Sequence, residues 1–324
     1  MAGNFTICVG TVGSGLWLSP DGGDSWKRCG KGLWNESRVF ALTLHPHEAR
    51  TMFAGANDGI YKSTDGGQSF ERLQSPMNEL DVWRIAVDPT DPDIIFAGTR
   101  PAALYRSNDG GRNWRKLAAD IAEECPNVRI PRVTALTVDP SDHRTVWAGV
   151  EVDGVLRSQD GGDSWRRIPT SGIPDPDIHD IAVTVNGSTT VLTSTPREIF
   201  ASGDRGENWY PLMVGGQFKL GYCRHLVQKA DDPATLFVAT GNGAAGDKGA
   251  IQRSTNGGKS WQAATLPDEP NSPIWAFATH RADPGLIVAC SHYGELYASR
   301  NAGDSWAKLP REFTEIRAVS WVPN

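Results

Sequence analysis

Short apolar runs recur along the chain, each bounded by glycine, proline, aspartate or asparagine, and this punctuation predicts strands joined by tight turns. The stretch from Val39 to Trp83 shows the pattern once in full. Val39-Phe40-Ala41-Leu42-Thr43-Leu44 reads as a strand closed by His45-Pro46. A second runs through Thr51-Met52-Phe53-Ala54-Gly55, a turn falls at Asn57-Asp58-Gly59, and Ile60-Tyr61-Lys62-Ser63 forms a third. A fourth is expected from about Phe70 to Leu73, after a polar phrase that begins at Ser63. The unit is a four-stranded antiparallel meander. Only Leu117 to Glu124 has a helical look, and it lies in a long connection.

The polar phrase returns seven times. Its first copy is Ser19-Pro20-Asp21-Gly22-Gly23-Asp24-Ser25-Trp26, and the others begin at Ser63, Ser107, Ser158, Ser202, Ser254 and Ser299. The starts lie 44, 44, 51, 44, 52 and 45 residues apart, the period of a solenoid or propeller unit. Each copy is a turn by its chemistry: Asp or Asn accepts nearby backbone N–H bonds, glycines supply positive φ, and the closing aromatic starts the next strand. Seven four-stranded units suit an all-β fold, a seven-bladed β-propeller in which each sheet buries both faces. The chain opens on the second strand of a unit, and Ile316-Arg317-Ala318-Val319-Ser320-Trp321 is a lone first strand. Pairing the two, so that the C-terminal strand completes the N-terminal blade, removes open edges. Residues 1–324 are then a single domain.

The phrase Ser-x-Asp-x-Gly-x-x-Trp resembles the Asp-box, or bacterial neuraminidase (BNR), repeat. The fuller pattern (strand, Asp-Pro, Ala-Gly, Gly-x-Tyr-Arg-Ser, Asp-Gly-Gly, Trp) is similar to the repeats of xyloglucan-cleaving endoglucanases, the sortilin ectodomain and the photosystem II stability/assembly factor. The resemblance covers essentially the whole chain and implies a propeller whose boxes lie on outer hairpins, away from the central site. Asp21, Asp65, Asp109, Asp160 and Asp204 are accordingly structural, and Asn256 and Asn301 stand in their place in two boxes. Those relatives include hydrolases, a sorting receptor and an assembly factor, so fold alone does not choose a function. Arg129-Ile130-Pro131 resembles a sialidase signature but follows the third box instead of preceding the first, and xyloglucanases resemble two such propellers clasping a cleft.

Composition narrows the field further. The net charge of −6 is spread over mixed acids and bases, which argues against a nucleic-acid partner. No run approaches a membrane span. The five cysteines lack paired spacing and read as reduced thiols. A strand-like segment follows Met1 without a basic and apolar leader, so a cytoplasmic location is expected.

Chemistry is expected where the repeat is broken, at one mouth of the central channel. Aligning the innermost strands on Val39, Val82, Val133, Ile178, Cys223, Ile274 and Ile316 places Phe40, Trp83, Thr134, His179, Arg224, Trp275 and Arg317 next in register. One further on come Ala41, Arg84, Ala135, Asp180, His225, Ala276 and Ala318. Arg38, Asp81, Arg132, Asp177, Tyr222 and Glu315 precede the aliphatics, and Arg100, Glu151, Arg197 and His292 enter from the loops between second and third strands. Guanidinium forks suit a carboxylate, sulfate or phosphate, so Arg38, Arg84, Arg132, Arg197, Arg224 and Arg317 are the candidate anion holders. Trp83 and Trp275 would supply an apolar or sugar-stacking wall.

Two functions follow from this set. The first is a hydrolase or lyase acting on a small anionic or carbohydrate-like ligand, with His179, His225 or Tyr222 moving a proton and Asp180 or Glu315 orienting a histidine or completing a carboxylate pair. The second is a non-catalytic propeller whose arginine-bearing face grips a protein partner. A divalent metal held by His179, His225 and His292, with Asp180 or Glu151 as oxygen ligand, is the sharper form of the first. No nucleotide cofactor is expected, because Gly241-Asn242-Gly243-Ala244-Ala245-Gly246 leads into a strand and not a helix. The loops at 117–131 and 211–222 are candidate lids.

Overall fold

A computed structural model of the chain describes residues 4–169 and 172–324. It forms seven four-stranded antiparallel sheets arranged as the blades of a propeller. Blade 1 is closed by the chain ends: Ile316–Pro323 pairs antiparallel with Phe5–Thr11, followed outward by Leu16–Ser19 and Lys27–Arg28. The innermost strands of blades 2 to 7 are Val39–Leu44, Asp81–Val87, Val133–Val138, Asp180–Asn186, Tyr222–Lys229 and Ile274–Thr279. Each touches the next around the ring, and Ile316–Pro323 joins the last to the first. The fourth strand of every blade has only two residues, so the outer edges are too short to recruit another chain.

The boxes are self-contained turns. In the first, Ser19 Oγ donates to Asp21 Oδ1 at 2.7 Å and accepts from Gly23 N–H at 2.7 Å, while Ser25 N–H donates to Asp21 Oδ1 at 2.9 Å. Trp26 Nε1 closes the turn on the Gly23 carbonyl at 3.1 Å. Asn256 and Asn301 make the same Oδ1 contacts in their boxes, which is why the amide substitutes without loss. Arginine at the position before the box serine ties neighbouring blades: Arg106 donates to the Gly161 carbonyl, Arg157 to that of Arg205, and Arg253 to Asp304.

Apolar packing lies between blades in seven clusters, one per interface. Trp147, Phe200 and Trp209 anchor the one between blades 4 and 5. The Ala-Gly of the second strand lets the next blade approach. A Cβ on Gly98 would sit 2.4 Å from Val133 Cγ1, and one on Gly149 would sit 2.5 Å from Ile178 Cγ2.

One expected element is absent. Leu117 to Glu124 is not helical: Leu117 N–H donates to the Leu104 carbonyl, and Ala122 N–H reaches Asp153 Oδ2 on blade 4. Eight residues are too few to hold a helix against such contacts, and helix nucleation is costly. Among the described residues the one helical segment is the 3₁₀ turn Val214–Gly216, and no helix is long and apolar enough to cross a membrane.

Candidate functional site

A β-bulge interrupts the innermost strand at one level in six blades, between Val39 and Ala41, Val82 and Arg84, Val133 and Ala135, Cys223 and Leu226, Ile274 and Ala276, and opposite Gly10/Thr11 beside Ile316. In blade 5 both His179 N–H and the Asp180 position face Ser194, the same two-against-one arrangement. A bulge adds a residue and re-aims its side chain. Adjacent residues that plain alternation would send to opposite sides therefore both reach the channel, one at the mouth and one deeper.

At the mouth the side chains stack. Arg224 lies 4.0 Å from the Trp275 ring centre, Arg317 lies 4.5 Å from Trp275 and 5.6 Å from Trp83, and Arg132 lies 4.2 Å from Trp83. Phe40 stacks on Trp83 at 4.3 Å, and His292 covers Trp275 at 4.2 Å. The result is an alternating cation–aromatic layer contributed by blades 1, 2, 3, 4, 6 and 7. Both indoles are covered by stacked neighbours.

Acids partner some of these cations. Arg132 pairs with Glu151 at 2.7 Å, Arg317 pairs with Glu315, and His292 Nε2 lies 3.1 Å from Glu315 Oε1. That last contact is out of line, so neither ring nitrogen of the buried His292 has a hydrogen-bond partner among the described residues. Arg224 is only 4% exposed yet forms no ion pair with a carboxylate among the described residues. Burial, reinforced by Arg224, lowers Arg132 to about 9, still positive at neutral pH. Burial likewise lowers Arg317 and raises the Tyr222 hydroxyl. Burial also raises Asp81 despite Arg38 and Arg100 nearby. The His292 imidazole and the Arg317 guanidinium hold Glu315 below the ordinary carboxylate range.

The three histidines do not share a centre. His179 Nδ1 meets the Cys223 carbonyl at 2.6 Å while its Nε2 lies 3.3 Å from Asp177, and its ring packs edge-on to Tyr222. His225 Nδ1 accepts the Phe277 N–H at 3.3 Å, which leaves Nε2 as the N–H side, 3.5 Å from Asp180 Oδ2. Burial lowers the pKa of His225, keeping it neutral. Each histidine thus faces a different carboxylate, and among the described residues no group of three or more His, Cys, Asp or Glu is arranged to hold a metal ion. The expected convergence of His179, His225 and His292 is replaced by three separate pairs, because successive blades spread them around the ring.

The remaining candidates divide by depth. Arg38 and Arg197 are exposed on the rim, where Arg197 borders shallow cavities of about 480 and 510 Å³. Arg84, Asp180 and His225 lie below the stacked layer and line a channel cavity of about 260 Å³. The loop at 211–222 is pinned by buried Val214 and Phe218, and the one at 117–131 by Leu117 and Cys125. The sequence placed Phe40 and Asp177 at the mouth without giving them a role; Phe40 proves to be a stacking member and Asp177 the partner of His179.

Fold and repeat define the class: a seven-bladed BNR-repeat propeller with a cationic, aromatic-lined mouth. A family model for Photosynthesis system II assembly factor YCF48 matches residues 127–324, more than half of the chain, and the protein belongs to that family. A second model, for Sortilin, neurotensin receptor 3, matches residues 14–146. Among individual proteins, the Photosystem II assembly lipoprotein Ycf48 of Synechococcus sp. (strain CC9902) is 26% identical over 80% of this chain and 72% of its own length. The xyloglucanase of Paenibacillus sp is also 26% identical, over 70% of this chain but 26% of the enzyme. The oligoxyloglucan-reducing end-specific xyloglucanase of Emericella nidulans is 32% identical over 35% of this chain, a match that spans 15% of that enzyme. Of solved structures, the GH74 xyloglucanase of Xanthomonas campestris superposes with a TM-score of 0.65 at 22% identity, covering 83% of this chain and 45% of the enzyme. YCF48 bound to D1 peptide gives 0.59 at 14% identity, covering 86% and 85%. At such identities these likenesses concern the fold alone.

Proposed function

We propose that the protein is a non-catalytic binding propeller whose mouth grips a carboxylate presented by a protein partner. The observation that carries this reading is Arg224: buried, stacked on Trp275, and without a carboxylate partner among the described residues. A guanidinium held against an indole face can still present N–H groups at its edge, and these suit the two oxygens of a carboxylate. Sugar stacking is disfavoured because Trp83 lies between Phe40 and Arg132, and Trp275 is covered by Arg224, Arg317 and His292. Acid–base chemistry is disfavoured because the ring nitrogens of His179 and His225 already face polar partners. Membership of an assembly-factor family supports the same reading.

A hydrolase or lyase at this mouth is the second reading, supported by the xyloglucanase relatives. An array of short peptides, each made with a free and an amidated C-terminus, separates the two. The expected result is a retained subset that needs the free carboxylate and disappears with Arg224→Gln. Equal retention of both sets, or reducing ends released from xyloglucan oligosaccharides by the wild type and not by His225→Ala, would overturn it.

A further inference from the structure

Beneath the stacked layer the channel widens into the cavity of about 260 Å³, lined by Arg84, Asp180, His225, Trp275 and Arg317 among others. Arg84 donates to the Trp83 carbonyl at 2.9 Å and makes no ion pair among the described residues. A guanidinium has five N–H donors, so most of its capacity is unmet by protein. Among the described residues the one carboxylate lining this cavity, Asp180, is already committed. Asp180 Oδ1 accepts the Ile181 N–H at 3.0 Å, and Oδ2 accepts the Leu226 N–H at 2.9 Å while facing His225. Arg317 uses one terminal nitrogen on Glu315, and its Nε is buried with no hydrogen-bond partner among the described residues. Two half-buried cations with open donors thus border one small polar space, and a charge drawn partly out of water gains from a partner there. Burial lowers Arg84 to about 10; Asp180 opposes the shift, and the repelling charges of Arg224 and Arg317 add to it.

We infer that this part of the channel is a binding site for a small free oxyanion, of the phosphate or sulfate class, held between Arg84 and Arg317. It lies beneath the layer and shares Arg317 with it, whereas Arg224, which carries the reading of the mouth, is not part of its lining. A planar guanidinium fork selects tetrahedral or planar oxyanions over a spherical halide, because two parallel N–H bonds need two acceptor oxygens. A bound anion would also relieve the repulsion among Arg84, Arg224 and Arg317, and so stabilise the folded ring.

The test is thermal unfolding of the full chain in inorganic phosphate against sodium chloride at matched ionic strength. It is paired with a crystal soaked in selenate, whose selenium is located by anomalous scattering. The expected result is a midpoint that climbs with phosphate and not with chloride, and a selenium peak between Arg84 and Arg317. Arg84→Met, which keeps the stem and removes the charge, should fold and weaken phosphate binding at least about tenfold, a loss of roughly 1.4 kcal/mol. Arg84→Lys, which keeps the charge without the fork, should fall between the two and serves if the methionine variant does not fold. Equal midpoints in the two salts, undiminished phosphate dependence in both variants, or selenium found only at the mouth would each overturn the assignment.

Discussion

The outer boxes and the inner mouth use the same polar chemistry to opposite ends. In the boxes the serine and the Asp or Asn find their partners within a few residues, and only the indole N–H groups of Trp209, Trp261 and Trp306 are left without one among the described residues. Asp21, Asp109, Asp160 and Asp204 are drawn down to about 2 chiefly by the side-chain and backbone hydrogen bonds of the residue four places on. At the mouth the partners come from other blades and do not add up: among the described residues Arg224 has no acid and His292 has only the poorly aligned Glu315, and Asp81 is pushed up by burial. A motif that satisfies itself builds structure, whereas a cluster left incomplete is where an outside group is wanted.

The largest effect should come from the packing that the boxes frame. Trp147 is fully buried between blades 4 and 5, so Trp147→Ala should cost about 3–5 kcal/mol in denaturant unfolding. A loss below about 1 kcal/mol would mean that the blades are held by something other than interblade packing.

At the mouth the expectation reverses. Arg224→Gln should reduce carboxylate binding at least tenfold, roughly 1.4 kcal/mol, while leaving the unfolding midpoint unchanged or raised, since a buried cation without an acid is being removed. A variant that binds as well as wild type, or that unfolds readily, would erase the distinction between mouth and boxes.

Acid titration sharpens the same contrast. The box aspartates have folded-state pKa values near 2, below the ordinary value of about 3.9, so they bind protons more tightly when unfolded. Their contribution to stability is fully present above about pH 4 and is lost as pH falls through about 2. Asp160→Asn should keep the turn, as Asn256 does, and flatten the decline of the urea midpoint between pH 4 and pH 2. An unchanged slope would show that the boxes are not proton-linked.

The smallest effect concerns the two boxes that lack the first glycine. Arg205 and Ala302 occupy that position at φ 60° and 57°, a region that costs a side-chain-bearing residue roughly 1–2 kcal/mol. Ala302→Gly should therefore be neutral or stabilising, by up to about 1 kcal/mol after the larger entropy of the unfolded glycine chain is counted. A clear destabilisation would mean that the methyl group makes contacts worth more than the strain.

The fold was legible because its signals are local. Box turns, the seven-fold period and the lone strand at Ile316 each act within a few residues or state a register outright. That register also located Arg84, Asp180, His225 and Arg224 near the channel. The bulges at Val82/Arg84 and Ile274/Ala276 were not legible, since no single residue type encodes them. Nor was the covering of Trp83 and Trp275, which depends on rotamers from several blades and turns an expected sugar platform into a cation–aromatic layer. The separation of the three histidines was not legible for the same reason: among the described residues, shared depth in the channel does not bring histidines from different blades together into a metal-holding group. Leu117 to Glu124 misled because helix-compatible composition says nothing about the blade edge the segment lies on.

The most direct test of the mouth is a pair of crystals, one soaked with 4-bromobenzoate and one with 4-bromobenzamide, with bromine located by anomalous scattering. The expected result is a bromine peak at the mouth for the acid alone, its carboxylate on the N–H edge of Arg224, and no peak in Arg224→Gln. Equal occupancy by acid and amide, or an acid bound elsewhere with Arg224 untouched, would contradict the assignment of this mouth as a carboxylate-gripping surface.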